Sequence, residues 1–161
     1  MPLRIIATGG TFDKHYDPLK GELSFGESHL HEIVARARIA GTVAIDVPIM
    51  IDSLEMNDTH RQAILAACRA CAERRIVIVH GTDTMVETAR VLGEAALEKT
   101  IVVTGAMVPY EVAGSDALFN LGFAMGCANT AAHGTWIAMN AVLFPWHNVR
   151  KNREKGVFEP L

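Results

Sequence analysis

Four consecutive β-branched residues, Ile76-Val77-Ile78-Val79, run without a polar break and stop abruptly at His80-Gly81-Thr82-Asp83-Thr84. A continuous apolar run this short suits a strand covered on both faces, as in the interior of a parallel sheet. The helix-like segment Met85 to Leu92 follows at once. The same order recurs along the chain. Leu3 to Ala7 reads as a strand before Thr8-Gly9-Gly10-Thr11, and Val43 to Met50 as a second before Ile51-Asp52-Ser53-Leu54-Glu55-Met56-Asn57-Asp58. Thr100 to Thr104 precedes Gly105-Ala106-Met107-Val108-Pro109, and Gly134 to Met139 is a fifth strand. Apolar spacing predicts helices over His29 to Ala40, stopped by Gly41, over Arg61 to Glu73, capped by Asp58 or Thr59, and from Ala117 onward, capped by Asp116. Gly93 interrupts the helical pattern after Leu92.

Strands alternating with helices imply right-handed crossovers and an α/β fold: an open parallel sheet flanked by helices on both faces, a three-layer αβα arrangement of the flavodoxin or Rossmann kind. At 161 residues the chain reads as one domain over residues 1–161. Ligands of such sheets sit beyond the carboxyl ends of the strands, where the polar clusters fall. Thr82 or Asp83 could there simply cap the following helix. Phe12 to Ser28 is long and turn-rich for a connection, and is expected to be a mobile lid over Thr11, with Tyr16 as its phenol. The tail from Phe144 is polar and suggests no second core.

A net charge of −3 argues against a nucleic-acid partner, and the one basic cluster, Arg150 to Lys155, is interrupted by Glu154. No apolar run approaches the ~20 residues of a membrane span. Met1-Pro2-Leu3-Arg4 leads into a strand, not a signal peptide, so a cytoplasmic protein is expected. Thr8-Gly9-Gly10-Thr11 lacks the spacing of a dinucleotide loop or a P-loop. Cys68 and Cys71 have a C-x-x-C spacing that a redox protein could use, but they lie in a helical stretch and read as small core residues. If so, replacing both by alanine leaves function intact. His29 and His31 read as surface residues, and His80 as a residue packed beneath its loop.

Taken together, Ala7-Thr8-Gly9-Gly10-Thr11, Asp52 to Asp58, His80-Gly81-Thr82-Asp83-Thr84-Met85, Gly105 to Pro109, Ser115-Asp116 with Phe119-Asn120, and Val149-Arg150-Lys151 resemble, in order, the N-terminal domain of the bacterial-type L-asparaginases, which include the asparaginase-glutaminases. The resemblance implies hydrolysis of asparagine to aspartate and ammonia through an acyl-enzyme, with no metal or organic cofactor. Thr11 would be the nucleophile, and Thr82 a second hydroxyl coupled to Lys151 and Asp83. Asp83 would also hold the substrate's α-ammonium group and Ser53 its α-carboxylate, with Asp52, Gly10, Gly81 and Ala106 lining the site. The chemistry suits these types. An alcohol needs a base or relay within roughly 2.6–3.2 Å, lysine can help only if buried or balanced by an acid, and N–H groups around Gly10-Thr11 and Gly81-Thr82 could hold an oxyanion.

Two residues depart from the family pattern. Leu23 stands where a catalytic tyrosine is common, so that Tyr16 is left to replace it. Leu54 stands where a glutamine usually follows the serine, and its loss weakens carboxylate recognition. No C-terminal domain of the family is expected, since Thr11-Phe12-Asp13-Lys14 and Lys151-Asn152-Arg153-Glu154 resemble short single-domain relatives. Association into a homodimer or homotetramer is then expected to close the site. The competing reading is a non-catalytic amino-acid-binding module on the same fold.

Overall fold

The computed structural model describes residues 2–161. Five parallel strands form the sheet: β1 (Leu3–Ala7), β4 (Val43–Asp46), β5 (Arg75–Val79), β6 (Thr100–Thr104) and β7 (Gly134–Met139). β8 (Val142–Pro145) adds an antiparallel edge, giving the order β4-β1-β5-β6-β7-β8. The parallel sheet with helices on both faces is therefore present, and the antiparallel strand makes it mixed. The turn into β8 is tight because Asn140 and Ala141 both adopt positive φ, 56° and 62°. Such left-handed pairs match the twist of a two-residue hairpin.

Alternation along the central strands divides the core in two. Ile76, Ile78, Ile101 and Val103 face α2 (Asp58–Ala70) and α3 (Met85–Glu94), whereas Val77, Val79 and Val102 face α1 (Leu30–Arg36) and α4 (Ala117–Thr130). Each fully buried aliphatic side chain contributes about 1.5–3 kcal/mol, so this two-sided strand set supplies much of the fold's driving force.

Several local expectations are corrected. The stretch 12–28, expected as an irregular connection, contains regular structure. A 3-10 turn at Thr11–Asp13 leads into an antiparallel hairpin, β2 (Lys14–Asp17) and β3 (Glu22–Phe25). α1 ends at Arg36 well before Gly41, because Arg38 takes a left-handed φ of 50°. β4 stops at Asp46, two residues before Pro48, instead of reaching Met50. Asn57, not Asp58 or Thr59, caps α2, through a reciprocal pair in which its Oδ1 accepts from His60 N–H and His60 Nδ1 accepts from Asn57 N–H. That helix closes at Ala70, with Cys71 already extended. Asp116 precedes α4 without capping it, its carboxylate instead accepting from Met107 and Val108 N–H. The tail is structured as well: β9 (Arg150–Asn152) pairs with β10 (Val157–Glu159), and Phe144, Val149 and Phe158 join the core beneath α2 and α3.

Gly93 does not interrupt α3, which runs through it to Glu94. A Cβ there would lie 2.3–2.5 Å from the Trp146 indole ring. Alanine at this site gains about 1 kcal/mol of helix propensity but overpacks the ring at a cost of roughly 1–3 kcal/mol. Gly93→Ala is therefore expected to lower the urea midpoint of unfolding; a raised midpoint would contradict the packing.

Candidate active site

Setting aside the β2–β3 hairpin, the parallel strands follow the order 2-1-3-4-5, whose switch point lies between β1 and β5. The turns that leave these strands are Thr8 to Thr11 and His80 to Thr84. Ile51, after β4, is drawn to the same place: its N–H donates to Thr8 O and its carbonyl accepts from Gly10 N–H. Gly10, at φ 76°, is packed so closely on Gly81 that a Cβ would fall 2.4 Å from the Gly81 Cα. Gly81 in turn abuts Ser53, whose side chain a Cβ at 81 would meet at 2.6 Å. Glycine at both positions thus lets three strand ends close into one crevice.

Beneath the crevice His80 is fully buried, with Nδ1 2.7 Å from Gly81 O and Nε2 2.8 Å from Thr88 Oγ1. Burial pushes its pKa down to about 4, so at neutral pH it is an uncharged brace for the turn. Asp83 and Thr82 do not cap α3, whose N-cap is Thr84 without a side-chain cap. They are free for another use. Lys151 Nζ donates to Thr82 Oγ1 at 2.8 Å and to Asp83 Oδ1 at 2.9 Å. Its side chain is only 10% exposed, although Arg150 and Arg153 beside it in sequence are solvated. The β9–β10 hairpin brings it there: β9 alternates, directing Lys151 to the crevice, while Arg150 pairs outward with Glu159.

Arg153 was not singled out by the sequence, yet its Nη1 donates to Asp83 Oδ1 at 3.0 Å and Nη2 to Asp83 O at 3.2 Å. Met107 is a second unforeseen neighbour, its sulfur accepting from the Thr82 hydroxyl at 3.5 Å. Ser53 Oγ accepts from Thr84 N–H, and its carbonyl accepts from Thr84 Oγ1 at 2.7 Å, tying the two turns together. Asp52 caps the short turn at Leu54 N–H and accepts from Lys14 Nζ at 2.9 Å; these two contacts hold its carboxyl below the usual range. Ala106 is buried behind the crevice.

Thr11 lies next to Gly10 at the rim, half-buried, and its hydroxyl makes no hydrogen bond among the described residues. Gly10 N–H is committed to Ile51 O and is not available to an oxyanion, which corrects one of the expected donors; the N–H groups of Thr11, Gly81 and Thr82 are uncommitted among the described residues. Tyr16 is not part of the Thr82–Lys151–Asp83 cluster. It is 56% exposed on β2, directly across the hairpin from Leu23. Cys68 sits in the core with its thiol pushed up to about 12 by burial, which fits an inert residue.

A family model described as the N-terminal part of asparaginase matches residues 2–158. The chain belongs to the asparaginase family. Among its relatives, the L-asparaginase 2 of Escherichia coli is 29% identical over 165 residues, and a probable periplasmic L-asparaginase of Haemophilus influenzae 31% identical over 171. Each alignment covers 96% of this chain and 47% of the relative, so the chain spans about half the length of these asparaginases. Among solved structures, a probable cytoplasmic L-asparaginase of Campylobacter jejuni superposes with a TM-score of 0.80 at 26% identity, covering 99% of this chain and 51% of that one. The thermostable L-asparaginase of Thermococcus kodakarensis has the same fold, with a TM-score of 0.90 at 24% identity over 100% of this chain and 51% of its own. The asparaginase fold therefore accounts for the whole described chain, which among the described residues has no helix long and apolar enough to cross a membrane.

Proposed function

We propose that this chain hydrolyses the side-chain amide of L-asparagine to L-aspartate and ammonia, with weaker action on glutamine. The observation that carries the reading is the hydroxyl–ammonium–carboxylate cluster of Thr82, Lys151 and Asp83 at the switch point of an asparaginase fold. Thr11 Oγ attacks the amide carbon, and its proton passes to the departing amide nitrogen. The C–N bond then breaks, ammonia leaves with that proton, and water hydrolyses the resulting aspartyl ester. The uncommitted N–H groups of Thr11, Gly81 and Thr82 supply donors for the tetrahedral oxyanion.

A zwitterionic amino acid needs an acid for its ammonium group and neutral donors for its carboxylate. Asp83 and Ser53 serve these ends, Asp52 and the Gly10–Gly81 wall shape the pocket, and Ala106 backs it. Tyr16 supplies the phenol in place of Leu23, because the two residues face each other across the hairpin and share a face. Exposed Tyr16, Leu54, Met107 and Val112 offer apolar surface for a second subunit of a homo-oligomer to cover. Three free thiols fit a reducing, cytoplasmic setting.

Calorimetry with asparagine and aspartate, run beside an ammonia-release assay, tests the reading. Binding accompanied by ammonia release is expected. Binding without release would make the chain an amino-acid-binding module and contradict the proposal.

A further inference from the structure

A second polar cluster lies at the base of the β2–β3 hairpin. His15 comes from β2, His29 from the residue before α1, and Glu111 from the loop after β6. His29 was expected at the surface; it is instead 8% exposed, and its Nε2 is a buried nitrogen with no hydrogen-bond partner. The ring is wedged between His15, at 4.1 Å between centroids, and Tyr110, at 5.0 Å. An orphaned imidazole nitrogen in such a position is costly, and a ligand for it would remove that cost.

The other two residues bring one atom each to the same place. Tyr16 N–H occupies Glu111 Oε2 at 2.9 Å, leaving Oε1 to face both rings. His15 Nδ1 is 3.0 Å from that oxygen and His29 Nε2 is 3.6 Å from it. Opposite, His15 Nε2 is 2.6 Å from the Glu27 carbonyl, to which only an N–H can donate. His15 Nδ1 and the orphaned His29 Nε2 thus converge on one carboxylate oxygen from two different elements.

We propose that His15 Nδ1, His29 Nε2 and Glu111 Oε1 form a binding site for a divalent transition-metal ion of the zinc class. All three atoms lie within 4.8 Å of one another. Ligands held at zinc distances by tetrahedral geometry lie about 3.4 Å apart, between the two spacings observed here. Two neutral imidazoles and one carboxylate are a donor set this cation favours, with a fourth position left for water. The Glu27 carbonyl supplies the backing hydrogen bond that orients a ligating histidine.

The ion would fasten three separate elements: the strand carrying Tyr16, the entry to α1, and the loop that follows Met107. It is therefore a staple for the hairpin beside the crevice, independent of whether asparagine is the substrate. The three residues are 14 and 82 positions apart, too scattered to read as a ligand motif.

Titration of the whole chain with zinc against a chromophoric chelator tests the site, with cobalt as a spectroscopic substitute. One zinc per chain is expected, with a rise in thermal midpoint and tetrahedral cobalt absorption. His29→Asn and Glu111→Gln should each weaken zinc binding at least ~10²-fold, the upper range for loss of even a supporting group. Controls outside the cluster, His147→Asn and Cys71→Ser, should leave it unchanged. Should His29→Asn fail to fold, Glu111→Gln decides alone, since its amide oxygen still accepts from Tyr16 N–H. No saturable binding, or binding that survives Glu111→Gln, overturns the proposal.

Discussion

Lys151→Met is expected to lower asparagine turnover at least ~10²-fold, and Thr82→Val to do the same, as loss of a proton-transfer partner generally does. Lys151 exposes a tenth of its side chain and has two polar partners, an acid at 2.9 Å and a hydroxyl at 2.8 Å. Because Nζ donates to Thr82 Oγ1, it polarises that hydroxyl, whose proton is held only by the weakly accepting Met107 sulfur at 3.5 Å and can be passed on. Methionine keeps the length of the stem and deletes only this donor. The fold should tolerate the change, for Asp83 retains Arg153 at 3.0 Å and is not left as an unpaired charge. Members of one relay are not additive, so the double variant should be little worse than either alone. Ammonia release by the three variants checks this. A double variant slowed by the product of the two single effects would mean that the groups act separately.

Unfolding free energy is expected to fall by about 3 kcal/mol between pH 7 and pH 4 through His80 alone. In the unfolded chain this imidazole titrates near its ordinary 6.5, whereas burial holds it at about 4 in the folded protein. Between those values the unfolded state binds the extra proton, so stability is full above 6.5 and is lost as the pH drops toward 4. Glu73 and Glu111 are held below their ordinary 4.5, and their contributions are lost only at lower pH. The windows are separable. Urea unfolding measured across this range should give a clearly flatter profile for His80→Gln, whatever its absolute stability. An unchanged slope would mean that His80 is not buried neutral.

The fold was legible where a pattern depends on neighbouring residues. Ile76 to Val79 and Thr100 to Thr104 declare themselves as central strands because both faces are apolar, and the small residues after them mark the crevice. The hairpin at 14–25 was missed because its strands are only half-buried and carry little alternation. Asn57 was passed over as a cap because Asp58 is also a good cap by type; the reciprocal bond with His60 decides between them. Lys151 could be assigned only through the family resemblance, since in sequence it is one of several adjacent charges. Arg153 and Glu111 act across 70 and 95 positions or more, and spacing along the chain carries no trace of such contacts.

In the proposed hydrolysis Thr11 is the group that the Thr82–Lys151–Asp83 cluster serves. Ammonia release from asparagine by the parent chain and by Thr11→Ala, with calorimetry confirming that both bind the amino acid, addresses this directly. The expected result is retained binding with turnover reduced at least ~10²-fold. Near-normal ammonia release from Thr11→Ala would contradict the account.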